Sequence, residues 1–270
     1  MQGPWGREAL SWSERIEWHR EVETTMALAR ARAASGAPTG TSVIAERQTG
    51  GRGRRGRDWF SPPGGLYAST ILWPRANVAP GTLVTASLMA GVATWATVRQ
   101  LGGHTAWLKW PNDIWAEGRK LAGILCELDT TGQGPVVLVG IGINLLGRRE
   151  AGVPSALGTT YVGLADLLNA SPPALKTVAH TLLQNLQACY SQWEKQGPVT
   201  IVARVREADG LCGKRVRVDT GQDVFYGQAL GIDDAGCLQV QTRGGCVSVL
   251  AADVHRVGVG DADPSLPQQE

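Results

Sequence analysis

The stretch GGRGRRGRDW, residues 50–59, lies between an apolar run that ends at Ala45 and another that starts at Leu66. Its glycines allow positive φ and close approach to a ligand, and its arginines present forked donors that suit carboxylate and phosphate. The sequence SPPGG at 61–65 prolongs the connection, and long loops inside compact domains usually serve as lids or binding loops. The stretch therefore predicts a mobile loop that closes over an anion.

Arginine- and glycine-rich segments are also typical of disordered tails and nucleic-acid-binding arms. The whole chain has 270 residues, is 43% hydrophobic and 19% charged, and carries a net charge of only +2. Its basic density is therefore local, which weakens the nucleic-acid alternative without removing it. The totals are those of an ordinary globular protein with one large and one smaller domain, or with two medium domains.

Cysteine usage and hydropathy bear on the compartment. The five cysteines are scattered and form no C-x-x-C pair, which favours reduced thiols in the cytosol. The N-terminus resembles no signal peptide, and no run of about 20 apolar residues could cross a bilayer. The sequence therefore predicts a cytoplasmic protein without a membrane partner.

The hydrophobic pattern predicts an α+β domain with a largely antiparallel sheet. Thr24 is a good N-cap for a first helix, and an almost wholly apolar segment at 81–101 predicts a helix buried against a sheet. A turn is expected at 110–113, and Ser171 with Pro172 is expected to start a long helix. The predicted strands are 16–22, 41–45, 66–73, 106–109, 120–128 and 136–145, and the remaining predicted helices are 25–34, 161–168, 172–193 and 199–208.

The pattern changes near residue 210. Short strands at 214–218, 224–230, 237–241 and 246–250 are separated by Asp/Gly-rich turns, which indicates hairpins and a small SH3-like barrel. The predicted domains are thus a catalytic region at 1–210, a barrel at 211–260 and a flexible polar tail at 261–270.

Polar residues interrupt the apolar segments in three clusters. Gln48 leads into the arginine/glycine loop, KWPND occupies 109–113, and KLAG at 120–123 joins GIGIN at 140–144. Lys120 opens an apolar strand, where its charge is costly without a partner. Taken singly, Lys120 could instead reach water, Asp113 could cap a turn and Asn144 could satisfy a nearby loop backbone.

Four motifs stand in these clusters: the arginine/glycine loop, KWPND, KLAG and GIGIN. In their order and spacing, they resemble the motifs of biotin protein ligase, also called biotin–[acetyl-CoA-carboxylase] ligase. The resemblance runs from about Ile16 to Val257. It implies a class II synthetase-like catalytic domain with a mostly antiparallel mixed sheet, followed by an SH3-like β-barrel. It also implies that biotin and ATP, with Mg²⁺, give biotinyl-5′-AMP. An acceptor lysine on a biotin carboxyl carrier protein domain of a biotin-dependent carboxylase then takes the biotinyl group.

The resemblance further implies roles for individual residues. Met26 stands where the family usually has asparagine, and Tyr161 aligns where relatives have a tryptophan that stacks on adenine. No metal is expected to be held by protein alone, although Asp113 could help to organise Mg²⁺ indirectly. The implied catalytic residues are Lys120, Arg52 and Arg54; those for biotin are Thr24, Thr25, Met26, Gln48, Arg52, Gly53, Arg54, Lys120 and Gly123; those for ATP or adenylate are Arg52, Arg55, Trp59, Asp113, Asn144 and Tyr161.

Two alternatives stay open. A lipoate-type acyl-adenylate ligase shares the expected fold and a similarly placed lysine, and a nucleic-acid-binding protein could use the arginine-rich loop with the barrel. Only about 15 residues precede the first predicted strand, so we expect the form without an N-terminal DNA-binding domain and without DNA as partner. An exposed edge strand could pair two protomers, but the sequence does not fix a homodimer.

Overall fold

A computed structural model describes residues 11–74 and 81–257. Seven strands form the larger sheet in the order β1-β2-β3-β7-β6-β5-β4, in which only β1 and β2 are paired in parallel. The predicted mixed, mostly antiparallel sheet is therefore confirmed. Its strands are β1 (Ile16–His19), β2 (Ser42–Ala45), β3 (Gly65–Leu72), β4 (Trp107–Lys109), β5 (Asp113–Ala116), β6 (Arg119–Thr131) and β7 (Gly134–Asn144).

Helices cover the two faces of this sheet unequally. On one face, α2 and α4 pack over an extensive core, since α2 is apolar nearly all round. On the other face, α1 covers a smaller cluster and leaves the rest of that face open. The helices are α1 (Thr25–Ala34), α2 (Thr82–Gln100), α3 (Leu164–Leu168), α4 (Leu175–Gln196) and α5 (Val199–Ala208).

A second, five-stranded antiparallel sheet follows, in the order β11-β10-β9-β8-β12. Its strands match the short hairpins expected of an SH3-like barrel, and the sequence pattern missed only β12 among them. They are β8 (Arg215–Asp219), β9 (Val224–Ile232), β10 (Leu238–Thr242), β11 (Gly245–Val249) and β12 (Asp253–Arg256).

The register of the larger sheet aligns five residues that carry the site. Lys109 faces Asp113, Asp113 faces Gly123, Gly123 faces Gly142, and Gly142 faces Tyr67. Directly opposed residues of antiparallel strands point to the same face of a sheet. These five residues, here called the site row, therefore lie on the face that α1 leaves partly open.

Two predicted helix starts are wrong. Tyr161 does not begin a helix, because its segment pairs with Lys120 through an isolated bridge, and α3 starts only at Leu164. The long helix begins at Leu175 rather than near Ser171, since each residue that precedes a proline is driven away from helical φ/ψ and Pro172 is followed by another proline.

Other boundaries also differ from the pattern. The first strand ends at His19 rather than at residue 22. The expected turn at 110–113 ends one residue early, because Asp113 already pairs with Lys109 and Gly123 as the first residue of β5. The tail predicted for 261–270 lies outside the described residues. Among the described segments, no helix combines the length and apolarity that a bilayer crossing needs.

Candidate active site

A cavity of about 540 Å³ lies over the site row, between α1, the loop at 50–59 and strand β12. Glycines form its floor. A Cβ on Gly142 would lie 2.5 Å from Trp59 Nε1, and a Cβ on Gly123 would lie 2.9 Å from Trp59 Cζ3. Because real Cβ atoms do not approach so closely, only glycine at both positions lets the Trp59 ring lie flat against the sheet.

One end of the cavity is polar but uncharged. The backbone N–H of Thr25 donates to Gln48 Oε1 at 2.8 Å, and Thr25 Oγ1 lies 2.8 Å from Ser69 Oγ. Gln48 Nε2 donates to Ser61 Oγ at 3.1 Å. Thr24 caps α1 as predicted, because its side chain accepts from the Met26 backbone N–H at 3.2 Å. This end offers donors and acceptors in fixed positions to a neutral polar group.

Met26 contributes an apolar wall at the same end. Its side chain belongs to the small core under α1, with Ala29 and Leu138. A Cβ on Gly140 would lie 2.8 Å from Met26 Cε, so the glycine makes room for the thioether. The structure therefore places Met26 in the cavity lining as a packing residue without a side-chain hydrogen bond to offer.

A β-bulge brings Lys120 to the cavity. The pairing of β5 with β6 shifts by one residue between Ile114 and Trp115, so that Lys120 faces Trp115 and lies on the same side as Gly123. Lys120 Nζ lies 2.7 Å from Asp113 Oδ1 and 4.9 Å from the Trp59 ring centre. Both partners of the ion pair are partly exposed to the cavity, so the ammonium can reach an incoming anion.

The arginine/glycine loop is ordered by contacts within itself. Gly53 N donates to Arg57 O at 2.7 Å, Trp59 N donates to Gly51 O at 3.0 Å, and Arg52 pairs with Asp58 at 2.7 Å. These contacts fold the loop into a short turn that covers the cavity. Four of its predicted site residues line the cavity: Arg52, Gly53, Arg54 and Trp59.

Arg54 bridges the two sheets at the cavity wall. Its Nη1 donates to Asn112 Oδ1 at 3.1 Å and to the carbonyl of Ala252 at 3.5 Å. Burial lowers the pKa of Arg54, and the nearby Asp253 opposes that shift. Because arginine stays charged in proteins, Arg54 brings a half-buried cation to the cavity.

Arg55 lies outside the cavity lining and fastens the loop to the second sheet. Its φ is +56°, its Nη1 lies 3.1 Å from Asp253 Oδ2, and its Nη2 donates to Thr220 O at 2.7 Å. Arg57 also pairs with Asp253, at 2.7 Å. Burial alone would raise the pKa of Asp253, but these arginines, with Arg54, hold it below its usual value. A direct contact between Arg55 and ATP stays a prediction.

Asn144 and Tyr161 form the cavity wall beside Lys120. Asn144 Nδ2 donates to the carbonyls of Lys120 and Val162 at 3.2 and 3.3 Å. Tyr161 donates its hydroxyl proton to Leu146 O at 2.9 Å, and burial raises its pKa. Both residues line the cavity. The Asn144 amide holds the carbonyl of Lys120, and the Tyr161 segment pairs with Lys120 through an isolated bridge.

Sequence reasoning missed several cavity residues, of which Lys109 is the most informative. Its side chain is only 8% exposed, and its Nζ lies 4.2 Å from the Trp115 ring centre. Burial lowers the pKa of Lys109, although Asp113 opposes the shift. Lys109 opens the KWPND motif, so a second lysine in a motif was the available signal. The other missed lining residues include Ser69, Trp115 and His255.

The cavity does not fit a metal ion held by protein alone. Each of its lining carboxylates, at Asp58, Asp113, Glu127 and Asp253, is already ion-paired with an arginine or a lysine. Within residues 11–74 and 81–257, no group of three histidine, cysteine or acidic side chains could hold a metal.

Comparison with known proteins identifies the family to which the two regions of this chain are similar. Residues 16–144 match the Biotin/lipoate A/B protein ligase family, and residues 211–256 match the Biotin protein ligase C terminal domain. The biotin–[acetyl-CoA-carboxylase] ligase of Mycobacterium tuberculosis is 38% identical over 231 residues, which are 83% of this chain and 82% of that protein.

Two further relatives extend the comparison. The bifunctional ligase/repressor BirA of Escherichia coli is 33% identical over 208 residues. These residues are 76% of this chain, and the chain spans only 63% of that relative's length. The solved biotin protein ligase from Aquifex aeolicus, in complex with biotin and ATP, superposes with a TM-score of 0.79 at 25% identity, and covers 90% of this chain and 100% of that one. With its two matched regions in the same order and a ligase of 38% identity covered over most of its length, this chain belongs to the biotin protein ligase family.

Proposed function

We propose that this protein is a biotin–protein ligase that forms biotinyl-5′-AMP from biotin and ATP and then transfers the biotinyl group to a protein lysine. One observation carries the proposal. A single cavity has a neutral hydrogen-bonding end at Thr25 and Gln48, a glycine floor, and a group of cations at its other end. A ligand with a polar neutral head, an apolar middle and a carboxylate suits this order of environments.

The first step joins two anions, so charge neutralisation is its main demand. A biotin carboxylate oxygen attacks the α-phosphorus of ATP, and the bond from that phosphorus to the bridging oxygen breaks as pyrophosphate leaves. Lys120, with Arg52 and Arg54, supplies positive charge where the phosphoryl oxygens gain negative charge. The ion pair of Lys120 with Asp113 holds the ammonium in place without burying it completely.

In the second step, the amine of an acceptor lysine attacks the carbonyl carbon of the mixed anhydride. An amide forms, AMP leaves with the electrons of the carbon–oxygen bond, and the amine loses a proton to solvent. The loop at 50–59 covers the cavity, which would keep water from the adenylate until the acceptor arrives. We propose a biotin carboxyl carrier protein domain of a biotin-dependent carboxylase as that acceptor.

Magnesium belongs to the proposal only as an ion brought by the ATP phosphates, because the acidic residues of the cavity are paired. Direct binding of ATP by Arg52, Arg55, Trp59, Asp113, Asn144 and Tyr161 is part of the proposal. So is contact of biotin with Thr24, Thr25, Met26, Gln48, Gly53 and Gly123. A homodimer and a cytoplasmic location stay predictions from the sequence.

The test is biotin-dependent exchange of labelled pyrophosphate into ATP, with lipoate and octanoate as alternative acids. Exchange with biotin alone, followed by labelling of an acceptor domain, is the expected result. Exchange with lipoate but not with biotin would move the protein to the lipoate-type alternative, which the named relatives support less. No exchange with any of the three acids would overturn the proposal.

A further inference from the structure

Lysine is rare in this chain. Only five of its 26 basic residues are lysines, and the others are arginines. Three of the five have exposed side chains, and none of these three lines the cavity. Lys176 and Lys195 lie on α4, which covers the opposite face of the larger sheet, and Lys214 lies just before β8. The exposed lysine amines are therefore kept away from the cavity.

The exposed cations that line the cavity are arginines. Arg30, Arg52 and Arg57 have side chains that are 44–60% exposed, and each is ion-paired. Arg52 and Arg57 each contact their carboxylate through a single nitrogen, at 2.7 Å, which a lysine ammonium could also do. The ion pairs alone therefore do not explain why these positions carry arginine.

The two kinds of cation differ in nucleophilicity. Lysine has an ordinary pKa of about 10.4, so a small fraction of it is a neutral amine at physiological pH. A guanidinium stays protonated, and its nitrogen electrons are delocalised. An amine that attacks the carbonyl carbon of biotinyl-5′-AMP forms an amide, AMP leaves with the electrons of the carbon–oxygen bond, and the proton of the amine passes to solvent. Of the two side chains, only lysine undergoes this reaction.

An amine in the cavity wall would compete strongly with the acceptor. A group tethered beside a reactive centre has an effective concentration on the order of millimolar even without special orientation. The loop at 50–59 covers the cavity, so a lysine there would meet the adenylate for as long as it is bound. Self-acylation would consume the adenylate and leave a permanent amide on the cavity wall.

The two lysines that do line the cavity are enclosed. Lys120 Nζ lies 2.7 Å from Asp113 Oδ1, and an ammonium that is bound to a carboxylate has no lone pair with which to attack. Lys109 is only 8% exposed, and its Nζ lies over the Trp115 ring, so the carbonyl carbon of an adenylate has little space to approach it. Burial lowers the pKa of Lys109, which favours the neutral amine, so restricted access and not charge protects this residue.

We infer that this chain directs biotin to a separate acceptor partly by keeping accessible amines of its own out of the cavity. Arg30, Arg52 and Arg57 supply the positive charge of the cavity rim in a form that an acyl-adenylate cannot acylate. These arginines thereby determine acceptor specificity in addition to forming ion pairs. The inference rests on the proposed function, since it requires that an adenylate forms in the cavity.

Paired variants place a new amine inside or outside the cavity. Arg57→Lys keeps the charge at the rim, and Arg206→Lys makes the same change at an ion-paired arginine outside the cavity lining. Leu157→Lys adds an amine at an exposed leucine of the lining, and Leu250→Lys adds one at an exposed leucine elsewhere. Arg57→Gln breaks the same ion pair as Arg57→Lys without adding an amine.

Each protein is incubated with biotin and ATP, without an acceptor domain and with serum albumin as a bystander. Peptide mass spectrometry then measures the biotinyl group at every lysine of both proteins. We expect the cavity variants to be labelled at the new position about 10-fold or more above Lys214, because that amine alone has a millimolar effective concentration. The labelled fraction should not change when the enzyme is diluted, since the reaction is intramolecular.

The remaining variants separate the amine from a loosened loop. Arg206→Lys and Leu250→Lys should be labelled at the new position no more than the native exposed lysines. Arg57→Gln shows how much adenylate escapes when the ion pair alone is lost, because escaped adenylate labels albumin. Leu157→Lys, which leaves the ion pairs of the rim intact, decides the test if Arg57→Lys forms no adenylate.

Two results would overturn the inference while leaving the proposed function intact. One is labelling of Arg57→Lys and Leu157→Lys that does not exceed the labelling of their controls, although adenylate forms. The other is a parent protein whose Lys109 or Lys120 is labelled as readily as its exposed lysines. A parent that forms no adenylate from biotin, lipoate or octanoate would instead remove the proposed function, and the inference with it.

Discussion

Lys120 Nζ lies 2.7 Å from Asp113 Oδ1 because a bulge in β6 turns the lysine to the same face as the aspartate. Without that extra residue, the alternation of the strand would point Lys120 and Gly123 to opposite faces. The bulge thus sends Leu121 and Ala122 consecutively to the helix-covered core, and leaves Lys120 and Gly123 together in the cavity.

The first prediction concerns Lys120. We expect Lys120→Ala to slow adenylate formation by about 10²- to 10³-fold, the usual cost of losing one preorganised group that stabilises transition-state charge. Biotin affinity should fall much less, since the neutral end of the cavity is untouched. Single-turnover adenylate formation and calorimetric titration with biotin measure the two effects. Arg119→Ala, next to it on β6 but outside the cavity lining, is the control. Equal rates in Lys120→Ala and the parent would remove Lys120 from its role.

The second prediction concerns the attachment of the loop to the second sheet. Asp253→Asn removes the acidic partner of both Arg55 and Arg57. We expect trypsin to cleave near Arg55 faster and bound adenylate to escape sooner, because the loop loses its anchor on β12. Asp234→Asn also breaks an ion pair to an arginine, but away from the loop, and serves as control. Unchanged cleavage and unchanged adenylate retention in Asp253→Asn would contradict the anchor.

The third prediction concerns the glycine floor. Gly142→Ala adds a Cβ that would lie 2.5 Å from Trp59 Nε1, so the Trp59 ring must move away from the sheet. We expect weaker biotin binding and faster cleavage of the loop by trypsin. Gly132→Ala, whose Cβ would meet nothing within 4 Å, should leave both measurements unchanged. A Gly142→Ala protein that binds biotin as tightly as the parent would show that the close contact is dispensable.

The fourth prediction concerns stability in acid. Arg32 donates to both carboxylate oxygens of Glu17, at 2.7 and 2.8 Å, and lowers the pKa of Glu17 from 4.5 to about 2. Because the folded protein holds this carboxylate ionised, its contribution is present above pH 4.5 and is lost as the pH falls toward 2. Exposed pairs are worth at most about 1 kcal/mol.

Urea unfolding measures that contribution. Glu17→Gln should be less stable than the parent at pH 6, and the difference should shrink between pH 4.5 and 2. Glu46→Gln, at an exposed glutamate, serves as control and should show no such trend. A Glu17→Gln deficit that persists unchanged at pH 2 would mean that the side chain acts through packing rather than charge.

Much of the fold could be predicted from the sequence because the local residue pattern and the tertiary environment favour the same elements. The apolar segment at 82–100 is a buried helix, and Thr24 caps α1 as its hydroxyl suggested. The Asp/Gly turns near the C-terminal end do separate short antiparallel strands. The order of motifs indicated the family, and the cavity collects nearly all the predicted site residues, Arg55 being the exception.

Features that depend on how one strand pairs with another could not be predicted from the sequence. Nothing in KLAG at 120–123 signals a bulge, because a bulge is defined by the partner strand and not by its own residues. The sequence pattern predicts a turn at Asp113, although its neighbours on β4 and β6 make it a strand residue. Lys109 escaped notice since its lack of an acidic partner becomes visible only when distant carboxylates are located in space.

The site row links the activity of the protein to the register of its central strands. A slip of β6 by one residue would turn Gly123 into the helix-covered core and expose a core side chain in the cavity. The active arrangement and the sealed core would be lost together, by one and the same error. A molecule that forms adenylate must therefore have its central strands paired in the native register. The specific activity of a refolded or mutant preparation thus measures the fraction of molecules with correct strand pairing.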